Sequence, residues 1–503
     1  MTDSIERFPI AIYNSLTRKK EQFEPINPPN VGLYVCGPTV YGDPHIGHAR
    51  AAITFDVVLR YLRASGYKVR YVRNITDVGH LEDEEAESGE DKIAKKARLE
   101  KVEPMEIVQH YTNSYHDGMD ALNCLRPDIE PSATGHIIEQ IKLVEKILEN
   151  GWAYEVNGNV YFDLGKYAKS ENYGELSGKV LDELKSGSRD TEGIEEKKSP
   201  HDFALWKKAT PGHIMRWDSP WGEGFPGWHL ECTTMSTKYL GEQFDIHGGG
   251  LDLQFPHHEA EIAQSKGAFG KQPAKYWMHN NMITIDGAKM SKSAGNFITL
   301  EQLFTGNHKL LEKAYDPMAA RFLILQSHYR SKIDFSSEGL QAAEKGLLRL
   351  MNSAKNLDNL PADKLGKSGE LDDGLNELAD QCYQRMSDDF NTAQALATLF
   401  DMSSEINAFY HQQKDLSKVS ENAFENFKNV FKSFTFDILG LKPLKTQQDG
   451  KTEDLVQLLI DIRNEARQKK DFETSDKIRD ELAEIGIALK DEKGGKTTFQ
   501  IND

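Results

Sequence analysis

Two short clusters of chemically capable side chains stand out, Pro44-His45-Ile46-Gly47-His48 near the start and Lys289-Met290-Ser291-Lys292-Ser293 past the middle. His45 and His48, three apart, share one face of a helix and can donate hydrogen bonds to charge building on a reacting phosphate. Gly47 has no side chain, so an adenosine can lie close over the helix start. The second cluster follows Asp286-Gly287, a strong turn pair, and offers two cations and two hydroxyls on a loop. Such a loop suits closure on a triphosphate and stabilisation of the leaving pyrophosphate. Alone, either string also fits a blander reading: two histidines on an ordinary amphipathic helix, or a solvated basic turn. Their conjunction weakens both. A third group is His257 and Glu261, four apart after Pro256, which project from one helix face at the spacing of a zinc half-site. Cys36 and Cys232 could complete a tetrahedral set, although no CxxC pair occurs, and buried cysteines with a surface ion pair fit the spacing as well.

These side chains need positioning. Gly32-Leu33-Tyr34-Val35-Cys36 reads as a short buried strand, closed by Gly37-Pro38. Asp43 offers an N-cap and Pro44 suits the first helical position, so a helix is predicted from about His45 to Ser65. Strand, turn and helix N-terminus together make a site for a nucleotide's phosphates. Ile283-Thr284-Ile285 reads as the strand leading to the lysine loop. On a wider view, a parallel α/β sheet is assembled from about 1–125 and 230–300, interrupted by an insertion at 126–229. That insertion holds a helix near 136–150 and a hairpin, Trp152–Leu164, turning at Asn157-Gly158. Residues 301–340 lead out of the sheet, 341–444 are dominated by helical patterns, and a polar linker, Lys445–Lys451, precedes a small unit at 452–503. The helical parts of this unit, Glu453–Lys470 and Glu473–Glu484, carry Arg463, Arg467, Lys469, Lys470, Lys477 and Arg479 among acids, which fits an ion-paired surface as well as an RNA contact.

Composition bounds the function. The 503 residues suffice for three or four domains, and four cysteines with no apolar leader or long apolar run point to a soluble protein of a reducing compartment. The formal charge of −18 is unfavourable for a nucleic-acid partner, so any RNA-binding surface must be local. Seven acids in the ten residues Glu82–Asp91 read as a solvated loop facing away from RNA.

Further segments carry a resemblance: Gly-Pro-Thr-Val-Tyr at 37–41, Arg73-Asn74-Ile75-Thr76-Asp77, Arg126-Pro127-Asp128-Ile129-Glu130-Pro131, Phe203-Ala204-Leu205-Trp206-Lys207, Gly227-Trp228-His229-Leu230-Glu231-Cys232, Phe244-Asp245-Ile246-His247-Gly248-Gly249-Gly250 and Pro256-His257-His258-Glu259-Ala260-Glu261. In this order, with both signatures, the chain resembles the cysteinyl-tRNA synthetases, a family of class I aminoacyl-tRNA synthetases, nearly end to end. The resemblance implies an α/β fold: a Rossmann-like parallel-sheet catalytic domain with an inserted connective domain, then a stem-contact segment, a helical-bundle anticodon-binding domain and a small C-terminal unit. It implies a cysteine–tRNA ligase with ATP, L-cysteine and tRNA(Cys) as partners, one Zn2+ per chain, Mg2+ with ATP, a cytoplasmic monomer and no membrane. It makes Cys36, Cys232, His257 and Glu261 the metal ligands and His45, His48, Lys289 and Lys292 the catalytic side chains, Lys292 the stronger of the two lysines. Gly37, Thr76, Trp228, His247, Gly249, Asp252 and Lys292 become the substrate-binding set, with Gly248–Gly250 allowing close approach to the nucleotide.

Zinc prefers thiolate to hydroxyl, which would separate cysteine from serine without an editing domain, and the insertion is short for one. The related ligase that joins cysteine to an amino-sugar inositol shares these sites but lacks an anticodon-binding region, so the long stretch after 340 argues against it. A non-catalytic paralogue would have lost the histidines or the lysines. One departure is that Val78-Gly79-His80-Leu81 and the acid run follow Asp77, where the family usually continues Ile-Asp-Asp-Lys-Ile; here Asp91-Lys92-Ile93 comes later.

Overall fold

The computed structural model of the chain describes residues 7–79, 81–83, 88–179, 196–291, 294–444, 447–469, 471–491 and 497–501. Parallel strands Asn30–Val35, Lys68–Arg73, Phe244–Gly250 and Ala274–Asn280 form one sheet in the spatial order 274–280, 244–250, 30–35, 68–73. Leu33, Tyr34, Val72, Ile246 and Trp277 are buried, as expected of strands covered by helices on both faces. The helix Ile46–Ala64 links the first two strands, and His257–Phe269 links the last two. The chain leaves the Asn30–Val35 strand toward one side of the sheet and later returns on the other. The crevice at the carboxyl ends of Asn30–Val35 and Phe244–Gly250 is therefore a topological switch point, where open α/β sheets bind ligands.

The insertion builds its own antiparallel sheet from Ala153–Val156, Asn159–Phe162, Phe203–Lys208 and Gly224–Pro226, beside the helix Ile137–Glu149. Its hairpin turns at Asn157 and Gly158, with φ of 53° and 89°, the left-handed values that an Asn-Gly turn supplies. Beyond the sheet, Ile283–Ile285 pairs with Ala288–Lys289 across the expected turn, and in parallel with Ile333–Phe335. Arg50, two residues past His48 and 1% exposed, donates to the carbonyls of Ile324, His328, Tyr329 and Ser331. These bonds fix the start of the Ile46–Ala64 helix to the segment that leads into Ile333–Phe335.

Helices Pro317–Leu325, Ser337–Asp358, Asp372–Ser387, Thr392–Tyr410 and Glu421–Lys432 follow. They belong to the same compact unit as the sheet, which extends to Lys442. A second unit, Pro443–Asp503, contains helices Gln447–Gln468 and Phe472–Glu484 and the hairpin Ile487–Asp491/Thr497–Ile501, packed around Val456, Ile460, Leu482 and Ile487.

Four local expectations change. The N-cap of the Ile46–Ala64 helix is His45, not Asp43, whose carboxylate accepts from Ser114 Oγ instead. The acid run is not a plain solvated loop: Leu81–Asp83 and Ser88–Asp91 pair antiparallel, and Asp91 is fully buried. Its carboxylate accepts from the backbone N–H groups of Gly79, Ile93 and Ala94, so Asp91 caps the helix Lys92–Glu100. The acid run is thus an excursion whose two ends meet, and Asp91-Lys92-Ile93 resumes beside Gly79. The polar linker is shorter than expected, because helix begins at Gln447. Arg463 is 3% exposed, which removes it from any RNA-facing surface, whereas Lys469, Lys477 and Arg479 form the local ion pairs of a solvated helix face. Lys470 lies outside the described residues.

Candidate active site and metal centre

At the switch point the carboxyl end of the Asn30–Val35 strand delivers Cys36, and the helix Leu230–Leu240 delivers Cys232 from its first turn. The helix His257–Phe269 delivers His257 and Glu261 one turn apart. The two sulfurs are 3.7 Å apart, too far for a disulfide. Glu261 Oε1 lies 3.8 Å from Cys36 Sγ and 3.2 Å from His257 Nε2. One donor atom from each of these four residues lies within 4.8 Å of the others, and an overlapping set pairs Cys36 and Glu261 with His247 and His258. Burial pushes the Cys232 thiol up to about 12, and burial together with Cys232 and Glu261 pushes Cys36 well above its usual range. Without a cation both thiols stay protonated beside a buried carboxylate. A soft divalent cation would be held by four converging donors of suitable type, so the donor chemistry fits zinc.

Three further histidines orient this cluster. His229 Nδ1 lies 2.8 Å from His257 Nδ1, which turns the His257 Nε2 toward Glu261. His229 has φ 82° at the head of its helix, an uncommon conformation that aims its ring at His257. His258 Nε2 lies 3.3 Å from Cys36 Sγ, its Nδ1 2.8 Å from His279 Nε2, and His279 Nδ1 2.8 Å from Ser15 Oγ. Burial and the neighbouring rings hold His258 well below its usual range, and burial with His247 takes His279 down to about 3, so both are neutral. Strand register sets His247 between Tyr34 and Trp277, with its ring stacked 4.4 Å from Trp277. His247 Nε2 meets Glu261 Oε2 at 2.9 Å, so this fully buried ring lies behind the carboxylate. Gly249 is needed here because a Cβ would come within 2.8 Å of the His258 ring.

Thr76 is buried and its hydroxyl accepts from Asn74 Nδ2; Asn74 Oδ1 accepts from the Gly37 N–H and lies 3.7 Å from Cys232 Sγ. Trp228 is half-buried, its ring 5.3 Å from that of His257. Asp252 sits just beyond the glycine run on a short helical turn, Leu251–Gln254.

The histidine signature opens the Ile46–Ala64 helix. His45 Nδ1 accepts from the Gly47 N–H at 3.1 Å, and His48 Nδ1 accepts from the His45 N–H at 3.2 Å, a reciprocal cap. A Cβ at Gly47 would meet the His45 ring at 2.8 Å, so glycine is what permits this fold-back. Burial, with His45 alongside, keeps His48 well below its usual range and neutral. With Nδ1 accepting, the proton of a neutral ring sits on Nε2, leaving a donor for a phosphate oxygen. Lys289 ends the strand Ala288–Lys289 and is exposed. Lys292 lies outside the described residues. His229, His258 and His279 escaped the sequence reading because no spacing marks them; His258 beside His257 and His229 within Gly227–Cys232 were the available signals.

The class I tRNA synthetase (C) catalytic domain matches residues 22–345, the DALR domain 381–444 and the cysteinyl-tRNA ligase anticodon binding domain 451–497. The cysteine–tRNA ligase of Bacteroides thetaiotaomicron is 57% identical over 97% of this chain and 98% of its own length. That of Cytophaga hutchinsonii is 58% identical over the same shares, and that of Chlorobaculum tepidum is 50% identical, again over 97% and 98%. Among solved structures, Mycobacterium tuberculosis methionyl-tRNA synthetase in complex with methionyl-adenylate superposes with a TM-score of 0.55 at 16% identity, over 85% of this chain and 94% of that one, a likeness of fold. No helix among the described residues is long and apolar enough to cross a membrane.

Proposed function

The chain belongs to the cysteine–tRNA ligase family, and from that premise we propose that it selects cysteine by its sulfur, at a zinc ion held by Cys36, Cys232, His257 and Glu261. The enzyme activates L-cysteine with ATP and transfers the cysteinyl group to tRNA(Cys). The observation that carries the selection step is the convergence of two thiols, an imidazole and a carboxylate at one point. Bound there, zinc would supply a soft Lewis acid that ionises a thiol and discriminates against the hydroxyl of serine.

The chain's own groups do the rest. Thr76 and Trp228 flank the amino acid, and His247 steadies Glu261 from behind. The substrate carboxylate attacks the α-phosphorus of ATP, accompanied by Mg2+, in line, giving cysteinyl-adenylate and pyrophosphate. His45 and His48 donate from Nε2 to the phosphoryl oxygens as charge develops, each acting without a change of protonation. Lys289 and Lys292 take up charge on the departing pyrophosphate. Gly37 and Gly249 let the backbone beneath the nucleotide site pack directly against Asn74 and His258, and Asp252 bonds the ribose. A hydroxyl of the terminal adenosine of the tRNA, by class I analogy the 2′-OH, then attacks the adenylate's carbonyl carbon, forming the ester as the acyl–phosphate bond breaks and AMP leaves with the hydroxyl proton released.

We assign residues 1–125 and 230–300 to the catalytic domain, 126–229 to the connective insertion, 301–340 to a stem-contact segment, 341–444 to a helical domain along the anticodon arm and 452–503 to anticodon recognition. The enzyme acts as a cytoplasmic monomer in this reading.

The test is amino-acid-dependent exchange of pyrophosphate into ATP, without tRNA, across all twenty amino acids. Only cysteine should support it; comparable exchange with serine would refute selection by sulfur. Metal analysis should find one zinc per chain, reduced in Cys232→Ser, with full exchange by metal-free folded protein as the contrary result.

A further inference from the structure

Three residues past the lysine signature lies Asn296, which neither motif includes, 8% exposed. Its carboxamide spans the first turn of the lysine loop: Oδ1 accepts from the Ser291 N–H at 2.8 Å, while Nδ2 donates to the Lys289 carbonyl at 3.1 Å. The Ser291 hydroxyl in turn accepts from the Ala294 N–H at 3.2 Å. The residues that follow attach this loop to the histidine signature. The Phe297 ring lies edge-on to His45, with centroids 4.9 Å apart. Ile46 N–H donates to the Ile298 carbonyl, Leu300 N–H donates to the Pro44 carbonyl, and His45 pairs with Thr299. On the far side, Met290 Cε reaches to 3.6 Å from where a Cβ of Gly47 would stand.

We propose that Asn296 is a positioning residue for adenylate formation: its carboxamide clasps the backbone from Lys289 to Ser291 and holds the lysine loop in register with His45 and His48. The clasp rests on the reading that the loop's lysines act on the leaving pyrophosphate. It needs a donor and an acceptor on one side chain of this length. An isosteric carboxylate keeps the bond from Ser291, but it cannot donate to the Lys289 carbonyl and faces it with like charge. Alanine loses both bonds and frees the loop to sample positions in which a lysine misses the phosphates. Misplacement by about 1 Å can cost on the order of a hundredfold in rate.

The experiment measures pyrophosphate exchange by the full-length, zinc-loaded enzyme as Asn296→Ala, Asn296→Asp, Lys289→Ala and the Lys289→Ala/Asn296→Ala double variant. For both Asn296 variants kcat should fall, by on the order of a hundredfold for alanine, while KM for cysteine stays within about twofold and thermal stability is unchanged. The double variant should lose less than the product of the two single losses, since the clasp then has only Lys292 left to hold in place. Near-wild-type kcat in Asn296→Ala beside a clear loss in Lys289→Ala overturns the clasp and leaves the lysine reading standing. Multiplying losses in the double variant, or a kcat loss that tracks a drop in stability and a rise in cysteine KM, also overturns the clasp. Wild-type kcat in Lys289→Ala overturns the phosphate role given to Lys289, and with it a clasp that acts by placing Lys289.

Discussion

His45 and His48 spend one ring nitrogen each on their own backbone, which leaves the other nitrogen for the phosphate role proposed for them. His48→Ala should therefore show two separable losses. Removing a donor to the developing phosphoryl charge should raise the activation barrier by about 2–4 kcal/mol in pyrophosphate exchange. Removing the cap acceptor should lower stability by about 1 kcal/mol in denaturant unfolding. An asparagine at 48 that restores stability without restoring rate would separate the two roles. Elsewhere, burial pushes the thiols of Cys124 and Cys382 up to about 12, so at mildly alkaline pH both are neutral. Alkylation needs the thiolate, and peptide mass mapping with iodoacetamide should find both cysteines unmodified in folded protein and modified in denaturant. Labelling of either in the native state would contradict its burial. The four proposed ligands were legible from the sequence because a helix imposes i, i+4 geometry on His257 and Glu261 and family motifs supplied the cysteines. The supporting histidines were not, because strand register and helix-to-helix contacts bring them in from distant positions.

Between secondary elements, Arg321 acts as a buried tie. Its guanidinium, 0% exposed, pairs with Asp56 on the helix that the histidine signature opens. It also donates to the carbonyl of Leu122 at 2.9 Å, in the segment after Pro104–Ala121, and to that of Leu439 at 2.8 Å, at the end of the helical region. Arg60 joins from the exposed side, donating to Asp56 at 2.8 Å and to the Asn123 carbonyl. Arg321→Met leaves the Asp56 carboxylate buried with one partner fewer and should destabilise the larger unit by about 3–5 kcal/mol in chemical unfolding. The double variant Arg321→Met/Asp56→Leu should recover much of that loss; no recovery would show that the carbonyl bonds, not the ion pair, carry the tie. The strands, the first helix and the Asn-Gly hairpin were readable because alternation, caps and turn residues are local signals. The cap at His45 was misassigned to Asp43 because an aspartate before Pro44 carries the standard local signal, whereas an imidazole accepting from its own helix does not. The Asp91 cap was hidden because the acid run reads as charge, and only the folded chain brings Gly79 back beside it.

At the scale of the molecule, the helical region cannot be separated from the sheet. Tyr61 bonds Ser387 at 2.7 Å, the Asp389 carboxylate accepts from the Tyr13 N–H at 2.8 Å, and Arg321 reaches Leu439. A chain ended near residue 340 would break all three, so the informative truncation is after Lys442, where the first compact unit ends. That shortened chain should fold, bind zinc and exchange pyrophosphate at close to the full rate, since the adenylate step needs no RNA, while charging of tRNA collapses through lost positioning. Equal charging by the two forms would assign the last sixty or so residues another task. Sequence periodicity could not have placed this boundary, because the bonds that join helices to sheet link residues hundreds of positions apart and leave no repeat.

The order of the sheet also has a consequence for how the protein is made. Asn30–Val35 lies between Lys68–Arg73 and Phe244–Gly250, and Cys36 waits for partners at 232, 257 and 261. A ribosome finishes one edge of the sheet early, then must deliver the whole insertion before the opposite edge exists. At about 5–20 residues per second that interval is roughly 10–40 s. Throughout it the apolar flank of Leu33 and Tyr34 has no neighbour on one side, and any metal meets a single thiol rather than a cage. The nascent chain thus carries an unpaired strand edge while the insertion is being synthesised, and the proposed metal site can close only once Glu261 has emerged.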